Sequence, residues 1–302
     1  MYDIVIIGGG PAGLTAAVYA CRAGKSVLII EKSTFGGQIT WSPKVDNFPT
    51  EPSISGVELG DRLANKALDM GADAELEEVT AIEDRGAVKL VKCESGAEYE
   101  TRAVIIATGA KPRRLGLEDE ERLLGNGVGF CAVCDGAFYK GRPVAVNGGG
   151  NSALQDAVLL SEICSKVYLI HRRDSFRGEA KLVEALAAKD NVEFVLNASV
   201  VSLQGADSLE AVTVLQNGMP RRLNVEGLFI AVGHEPDNGA FKELIGLDAA
   251  GYADSGENCT TKTAGIFVAG DCRRKTVRQV TTAMADGSVA ALAACSYIDT
   301  CL

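Results

Sequence analysis

The feature that most restricts the fold is a strand, glycine turn, helix and strand unit that occurs twice. In the first copy Ile4-Val5-Ile6-Ile7 is a continuous apolar, β-branched run, as expected of a buried parallel strand. Gly8-Gly9-Gly10-Pro11-Ala12-Gly13 follows, then a helical stretch over 14–23, then Gly24 and a second strand over 26–30 that ends at Glu31. Gly8 permits the tight turn, Gly10 lets a pyrophosphate approach the backbone, and Gly13 lets helix pack on strand. The helix N-terminus holds phosphates through free N–H groups and its dipole. Glu31 sits where an acid accepts hydrogen bonds from the two ribose hydroxyls.

In the second copy residues 144–147 form the strand, Gly148-Gly149-Gly150-Asn151-Ser152-Ala153 the turn, 154–163 the helix and 167–170 the second strand. The strand end differs. Where the first copy has Glu31, this one has His171-Arg172-Arg173-Asp174, with Arg177 close behind. Guanidiniums there suit a phosphate on the adenosine ribose, which an acid would repel. His171 reads as packing against adenine in preference to acting as a base. Asn147 stands where a strand is normally apolar and needs a hydrogen-bond partner if buried.

The remaining segments fit around these units. Gly37-Gln38 and Asn47 lie in a turn-rich connection that contains the only tryptophan, Trp41. Its place after Glu31 suits a cover over the far end of a long cofactor, although a plain surface loop has the same composition. An amphipathic helix is expected over 57–70, and short meander strands over 74–82, 87–92 and 99–102. A separate apolar strand from Val104 meets a glycine turn at Thr108-Gly109. Lys111-Pro112-Arg113-Arg114 reads as a linker, and the charge run at 118–122 as a solvated turn. Residues 229–233, ending at Gly233, parallel the strand before Gly109, and 234–237 read as a second linker. A buried strand over 266–271 then leads through Gly270-Asp271 to Arg278-Gln279-Val280 and a small-residue helix reaching about residue 297.

Between the two units lies Cys131-Ala132-Val133-Cys134-Asp135. Two thiols at this spacing can close a small disulfide that exchanges two electrons at a time, and the acid after them could carry the proton that exchange needs. Alone, the spacing also admits a zinc site or two core cysteines. The chain has 302 residues, room for one large or two medium domains, and nine cysteines at irregular spacing. That pattern argues against a secreted disulfide framework and for a reducing, cytoplasmic setting in which one pair cycles. The net charge of −10 makes nucleic acid and anionic membranes poor partners, and no apolar run approaches the ~20 residues of a membrane span.

With these residues in place, the chain resembles the low-molecular-weight, bacterial-type thioredoxin reductases over essentially its whole length. The likeness is most specific at 131–135, at 171–174 with Arg177, and at Ala269-Gly270-Asp271 with Arg278-Gln279. It implies an α/β fold of two Rossmann-like, three-layer ββα domains: an FAD domain in two segments, 1–112 and 237–302, interrupted by an NADPH domain over 113–236. It implies a homodimer that passes hydride from NADPH to FAD, then to Cys131–Cys134, then to thioredoxin or a thioredoxin-like protein. Cys134 would be the sulfur nearest the flavin, Cys131 the one that attacks thioredoxin, and Asp135 the acid–base. FAD contacts would come from Gly8, Gly10, Pro11, Ala12, Gly13, Glu31, Lys32, Gly37, Gln38, Asn47, Thr108, Gly109, Gly270, Asp271, Arg278, Gln279 and Val280. NADPH contacts would come from Gly148, Gly150, Asn151, Ser152, His171, Arg172, Arg173, Arg177 and Gly233. No metal site is expected. Asn147 and Gln155-Asp156 depart from the family pattern, and Cys272 and Cys301 have no role in it. Two rivals use the same scaffold: a dithiol oxidase, which would have no use for His171, Arg172 and Arg173, and a non-catalytic redox sensor, which only turnover would distinguish.

Overall fold

The computed structural model describes every residue except Pro43, Pro52 and Leu302; the side chain of Cys301, and so any role for it, also lies outside the described residues. The chain forms two compact units, one of Met1–Lys44, Phe48–Lys111 and Glu235–Leu302, the other of Val45–Asn47 and Pro112–His234.

The first unit begins with β1 (Tyr2–Ile7), α1 (Pro11–Arg22), β2 (Val27–Glu31), α2 (Gly56–Asp69), β3 (Asp73–Leu76), β4 (Val79–Arg85), β5 (Val88–Cys93) and β6 (Glu98–Ile106). Their sheet runs in the order β3-β2-β1-β6-β5-β4. β1, β2, β3 and β6 are parallel, while β4 and β5 add an antiparallel hairpin. Because side chains alternate along a strand, Ile4 and Ile6 of β1 join a core with α1, whereas Val5 and Ile7 join one with Val79, Ile82 and Val91 of the hairpin. Two strand assignments differ from expectation. The stretch 74–82 is broken into β3 and β4, and the segments expected separately at 99–102 and from Val104 are one nine-residue strand. A single strand serves both layers, because its first half pairs with β5 and its second half continues the parallel core.

A first crossing strand, β7 (Ala110–Pro112), leads to α3 (Glu120–Leu123), β8 (Val128–Gly129), α4 (Ala132–Asp135), β9 (Pro143–Asn147), α5 (Asn151–Ile163), β10 (Lys166–Ile170), α6 (Ala180–Ala187), β11 (Val192–Val195), β12 (Ala198–Gln204), β13 (Ala211–Gln216), β14 (Met219–Asn224) and β15 (Gly227–Ile230). The second unit thus repeats the plan: a parallel sheet in the order β11-β10-β9-β15-β8 and an antiparallel sheet β12-β13-β14. The charge run at 118–122 is not a solvated turn. Glu120 is buried, and its carboxylate accepts main-chain N–H bonds from Leu115, Gly116 and Leu117 at 2.8–3.3 Å. Those bonds satisfy donors that the loop would otherwise bury unpaired.

The return strand, β16 (His234–Pro236), pairs with β7. The chain then adds α7 (Lys242–Ile245), β17 (Ile266–Val268) and α8 (Val280–Cys301) to the first unit. β17 pairs with β6 through Ile266↔Val104. It stops earlier than expected, since Gly270 takes φ +79 and residues Gly270–Cys272 turn as a 3-10 helix. α8 lies on α1 through small residues on both: a Cβ at Gly287 would stand 2.1 Å from the Ala12 carbonyl oxygen. Among the described residues no helix is long and apolar enough to cross a membrane.

Candidate active site

The two glycine turns are built alike. Gly8 takes φ +110, and a Cβ on it would lie 2.4 Å from the Ala107 carbonyl oxygen; a Cβ on Gly148 would lie 2.5 Å from that of Ala231. Each turn is therefore pressed against the end of the neighbouring parallel strand, where only glycine fits. At Gly10 and Gly150 a Cβ would meet nothing within 4 Å, so each turn has open space beside its middle. Gly13 packs hardest, its Cβ position lying 1.9 Å from the Gly8 carbonyl oxygen. Pro11 and Ala12 form the first turn of α1, and proline suits that position because its missing N–H is one the helix leaves unbonded.

Around the first turn, the buried Glu31 carboxylate accepts the Gly9 N–H at 2.7 Å and the Ser33 N–H at 2.9 Å. Gly37 and Gln38 come close. A Cβ on Gly37 would lie 3.1 Å from the Gly10 Cα, and Gln38 donates to the Ala110 carbonyl oxygen at 2.9 Å, beside Gly109. Lys32 turns instead to Asp237, which Lys111 also approaches at 3.6 Å. Asn47 is exposed and groups with the second unit, apart from the other expected FAD residues. Gly270 returns the chain to this turn, with its Cβ position 2.8 Å from the Ala12 Cβ. Asp271 follows, with one carboxylate oxygen buried and without a partner among the described residues. Burial pushes the Asp271 carboxyl up, with Lys275 and Arg278 acting against it. The Arg278 guanidinium stands 4.2 Å over the Tyr252 ring, and its buried Nε likewise has no hydrogen-bond partner among the described residues. Gln279 donates its N–H to Thr282, and Val280 opens α8.

In the second unit His171 is buried with its ring stacked on Phe176 and set against Gly149, where a Cβ would fall 2.1 Å from the imidazole. Burial, then the neighbouring Arg177, Arg173 and Arg172, push this imidazole below its ordinary value, against a main-chain bond at Ser175. It is packed as a neutral ring. Arg172, Arg173 and Arg177 are exposed, and none of their guanidiniums holds an ion pair among the described residues. The Arg177 N–H donates to the Gly149 carbonyl oxygen at 2.8 Å, which keeps that segment beside the turn. Asn151 is committed to the chain itself, pairing with the main chain and carboxylate of Glu179, whereas Ser152 is exposed. Gly233 takes φ +112 and its carbonyl oxygen accepts the Arg113 N–H. Asn147 ends β9 nine-tenths buried, without the side-chain hydrogen bond expected of it among the described residues.

Cys131 and Cys134 are joined as a disulfide across α4, with Cα atoms 5.3 Å apart. The Cys134 N–H donates to the Cys131 sulfur at 3.2 Å, an interaction that favours a thiolate at Cys131. Burial alone raises the Asp135 carboxyl to about 6, and its Oδ1 is buried without a partner among the described residues. Asp156 on α5 is raised to about 6 by burial too. The cysteines Cys93, Cys164, Cys259 and Cys272 are buried and pushed up to about 11, so they are inert next to the disulfide pair.

Two nucleotide-type turns and one disulfide in a single chain narrow the choice of family. The chain matches the pyridine nucleotide-disulphide oxidoreductases over residues 2–287. It belongs to this family. It is 39% identical over 302 residues to a thioredoxin reductase from Bacillus subtilis (strain 168), covering 99% of this chain and 95% of that one. A 34.2 kDa protein in the rubredoxin operon of Clostridium pasteurianum is 37% identical, over 98% of this chain and 97% of its own. The crystal structure of thioredoxin reductase from Streptococcus pyogenes MGAS5005 superposes with a TM-score of 0.94 at 39% identity, covering 99% of both chains.

Flavin and pyridine-nucleotide chemistry belongs to this family, and the first turn fits a flavin nucleotide on its own terms. It has open space at Gly10, and a buried acceptor on Asp271 and a buried donor on Arg278 both lack partners among the described residues. Such atoms are costly to bury unless a bound group completes them. Several residues of this oxidoreductase carry no familiar motif. Asn238, 1% exposed, donates to the carbonyl oxygens of Gly251 and Cys272 and so pins the return crossing. Asp286 gathers Arg273 and Lys275 behind the Asp271 turn. Its signal was legible: Asp286 is the lone acid between 280 and 298 in an otherwise apolar, small-residue helix.

Proposed function

We propose that the protein is an NADPH-dependent thioredoxin-disulfide reductase with FAD at the first turn and NADPH at the second. The closed Cys131–Cys134 disulfide, followed directly by a buried Asp135 whose carboxyl is raised to about 6, carries this reading. The bound flavin supplies the two-electron chemistry that links the nicotinamide nucleotide to the disulfide. Gly8, Gly10, Gly13, Glu31, Asp271 and Arg278 would hold it. Arg172, Arg173 and Arg177, without ion pairs among the described residues and with the Arg177 main chain bonded to Gly149, support a 2′-phosphate on the second nucleotide.

The chain's own sulfurs do the exchange. The Cys131 thiolate, favoured by the Cys134 N–H, attacks one sulfur of the partner's disulfide and releases the other as a thiolate. Cys134 then attacks Cys131, which re-forms the intramolecular disulfide and frees the partner's second sulfur. The partner gains two electrons and two protons, and Asp135 is placed to hold a proton at the Cys134 end. The protein is assigned to the cytoplasm, which the buried, inert thiols of Cys93, Cys164, Cys259 and Cys272 suit, and to a homodimer, which the exposed Leu292 of α8 suits. Anaerobic NADPH should bleach the flavin of the purified protein, and oxidised thioredoxin should restore the colour. A flavin that NADPH leaves yellow, or that thioredoxin cannot reoxidise, would overturn the assignment. Arg172→Ala with Arg173→Ala should weaken NADPH use roughly 10- to 100-fold and leave NADH use unchanged, since a bidentate phosphate contact is worth a few kcal/mol. Equal losses with both donors would make the arginines structural.

A further inference from the structure

Behind the Asp271 turn lies a nearly sealed group of charges. Asp286 of α8 accepts two bonds from the Arg273 guanidinium at 2.9 and 3.0 Å, one from Lys275 at 2.8 Å and one from the Gly270 N–H at 3.1 Å. The side chains of Arg273, Lys275 and Asp286 are 9–10% exposed. Arg273 also donates to the carbonyl oxygens of Ser255 and Gly256. Arg273 and Asp286 therefore form a bidentate, self-neutralising pair that anchors the turn, a geometry in which the guanidinium is held on both sides. Lys275 is left over. It brings a second positive charge to the Asp286 carboxylate, on the same Oδ2 that accepts the N–H of Gly270, the residue before Asp271; its charge also acts on Asp271, whose Oδ1 is buried without a partner among the described residues.

We propose that Lys275 is a positioning residue for charge: held by the Arg273–Asp286 pair, it sets the reduction potential of the flavin bound at Asp271. The inference rests on the assignment of FAD to the first turn. A cofactor that gains negative charge as it takes up electrons is favoured in its reduced form by a fixed cation nearby, and a poorly solvated cation acts over a longer range than an exposed one. Lys275 is separable from the fold, because Lys275→Met leaves the neutral Arg273–Asp286 pair and its bond to Gly270 in place.

The test is the flavin midpoint potential of the full-length, FAD-loaded protein, read by equilibration with a dye of known potential. Lys275→Met should move it in the negative direction by the equivalent of a three- to tenfold change in the reduction equilibrium, tenfold being about 30 mV for a two-electron couple. Lys275→Arg, which keeps the charge, should stay at the wild-type value, and FAD affinity should change less than about threefold in either variant. An unmoved potential in Lys275→Met, or equal shifts in both variants, would overturn the inference. Loss of FAD from both variants would also overturn it, by making Lys275 a holding residue. A wild-type protein that binds no flavin would overturn the FAD assignment itself, an outcome distinct from a flavin-loaded protein whose potential ignores Lys275.

Discussion

Cys131 and Cys134 are chemically identical in sequence and are made different by where their neighbours' N–H groups point. Among the described residues, the Cys131 sulfur accepts one, from Cys134, and the Cys134 sulfur accepts none. Cys134→Ser should therefore leave an attacking thiol with no partner to resolve its adduct, and should trap thioredoxin as a stable mixed disulfide on a non-reducing gel. Cys131→Ser should trap little or none, and the reverse pattern would exchange the two roles. Asp135 differs in kind, because burial raises its carboxyl from the ordinary 3.8 to about 6. A raised acid favours the folded state most when both folded and unfolded forms are protonated, below pH ~4, and this advantage is lost as pH climbs through 6. Asp135→Asn should thus stabilise the protein at pH 7–8 by at most about 3 kcal/mol, two pKa units at 1.36 kcal/mol each, and make no difference near pH 4. A denaturation series across pH checks it; a stabilisation that is flat with pH would count against the burial account. Asp286→Asn should have the opposite effect at neutral pH. Two buried cations would lose their carboxylate, and a loss of about 3–5 kcal/mol is expected in chemical denaturation.

At the scale of elements, the glycine turns were legible because their constraint is local: a strand must end, a phosphate must approach and a helix must begin within six residues. Gly8 against Ala107 and Gly148 against Ala231 express the same constraint twice. What stayed hidden depended on burial and on hydrogen-bond partners that the composition of a segment does not reveal. Nothing near Glu120 announces that it will be buried to receive three main-chain N–H groups, and a run of charges read locally is a solvated turn. Asn238 likewise gains its meaning from Gly251 and Cys272. The break between β3 and β4 and the continuity of β6 were missed because alternation does not report pairing. The contact of α1 with α8 gives an element-level prediction. A methyl at Gly287 would meet the Ala12 carbonyl oxygen at 2.1 Å, and neither helix backbone can yield without moving the first turn of α1. Gly287→Ala should cost about 1–3 kcal/mol, typical of overpacking, and should weaken FAD retention by displacing Ala12. Ser288→Ala, next along the helix and half-buried, removes atoms in place of adding them and is the control, and equal behaviour of the two variants would show that α1 tolerates the shift.

At the scale of the whole molecule, the second unit is essentially one continuous stretch, Pro112–His234, while the first is assembled from segments on either side of it. Each unit has its own pair of cores on the two faces of a parallel sheet. A chain so divided has no reason to unfold in one step, and a single melting temperature would not describe it. The two ligands should then act on different transitions. A ligand present at 100 times its dissociation constant adds about 2.7 kcal/mol to the unit that binds it, which for units of this size is a shift of several degrees. Calorimetry of the apoprotein should show FAD raising one transition and NADP+ the other. Arg172→Ala with Arg173→Ala should abolish the NADP+ shift and leave the FAD shift intact, because both residues belong to the second unit and directly follow His171, whose ring packs against Gly149. A single transition raised equally by both ligands would show that the units are coupled more strongly than their separate cores require. An FAD shift that disappears in the arginine variant would place the two nucleotides in one site and remove the basis for assigning a separate turn to each.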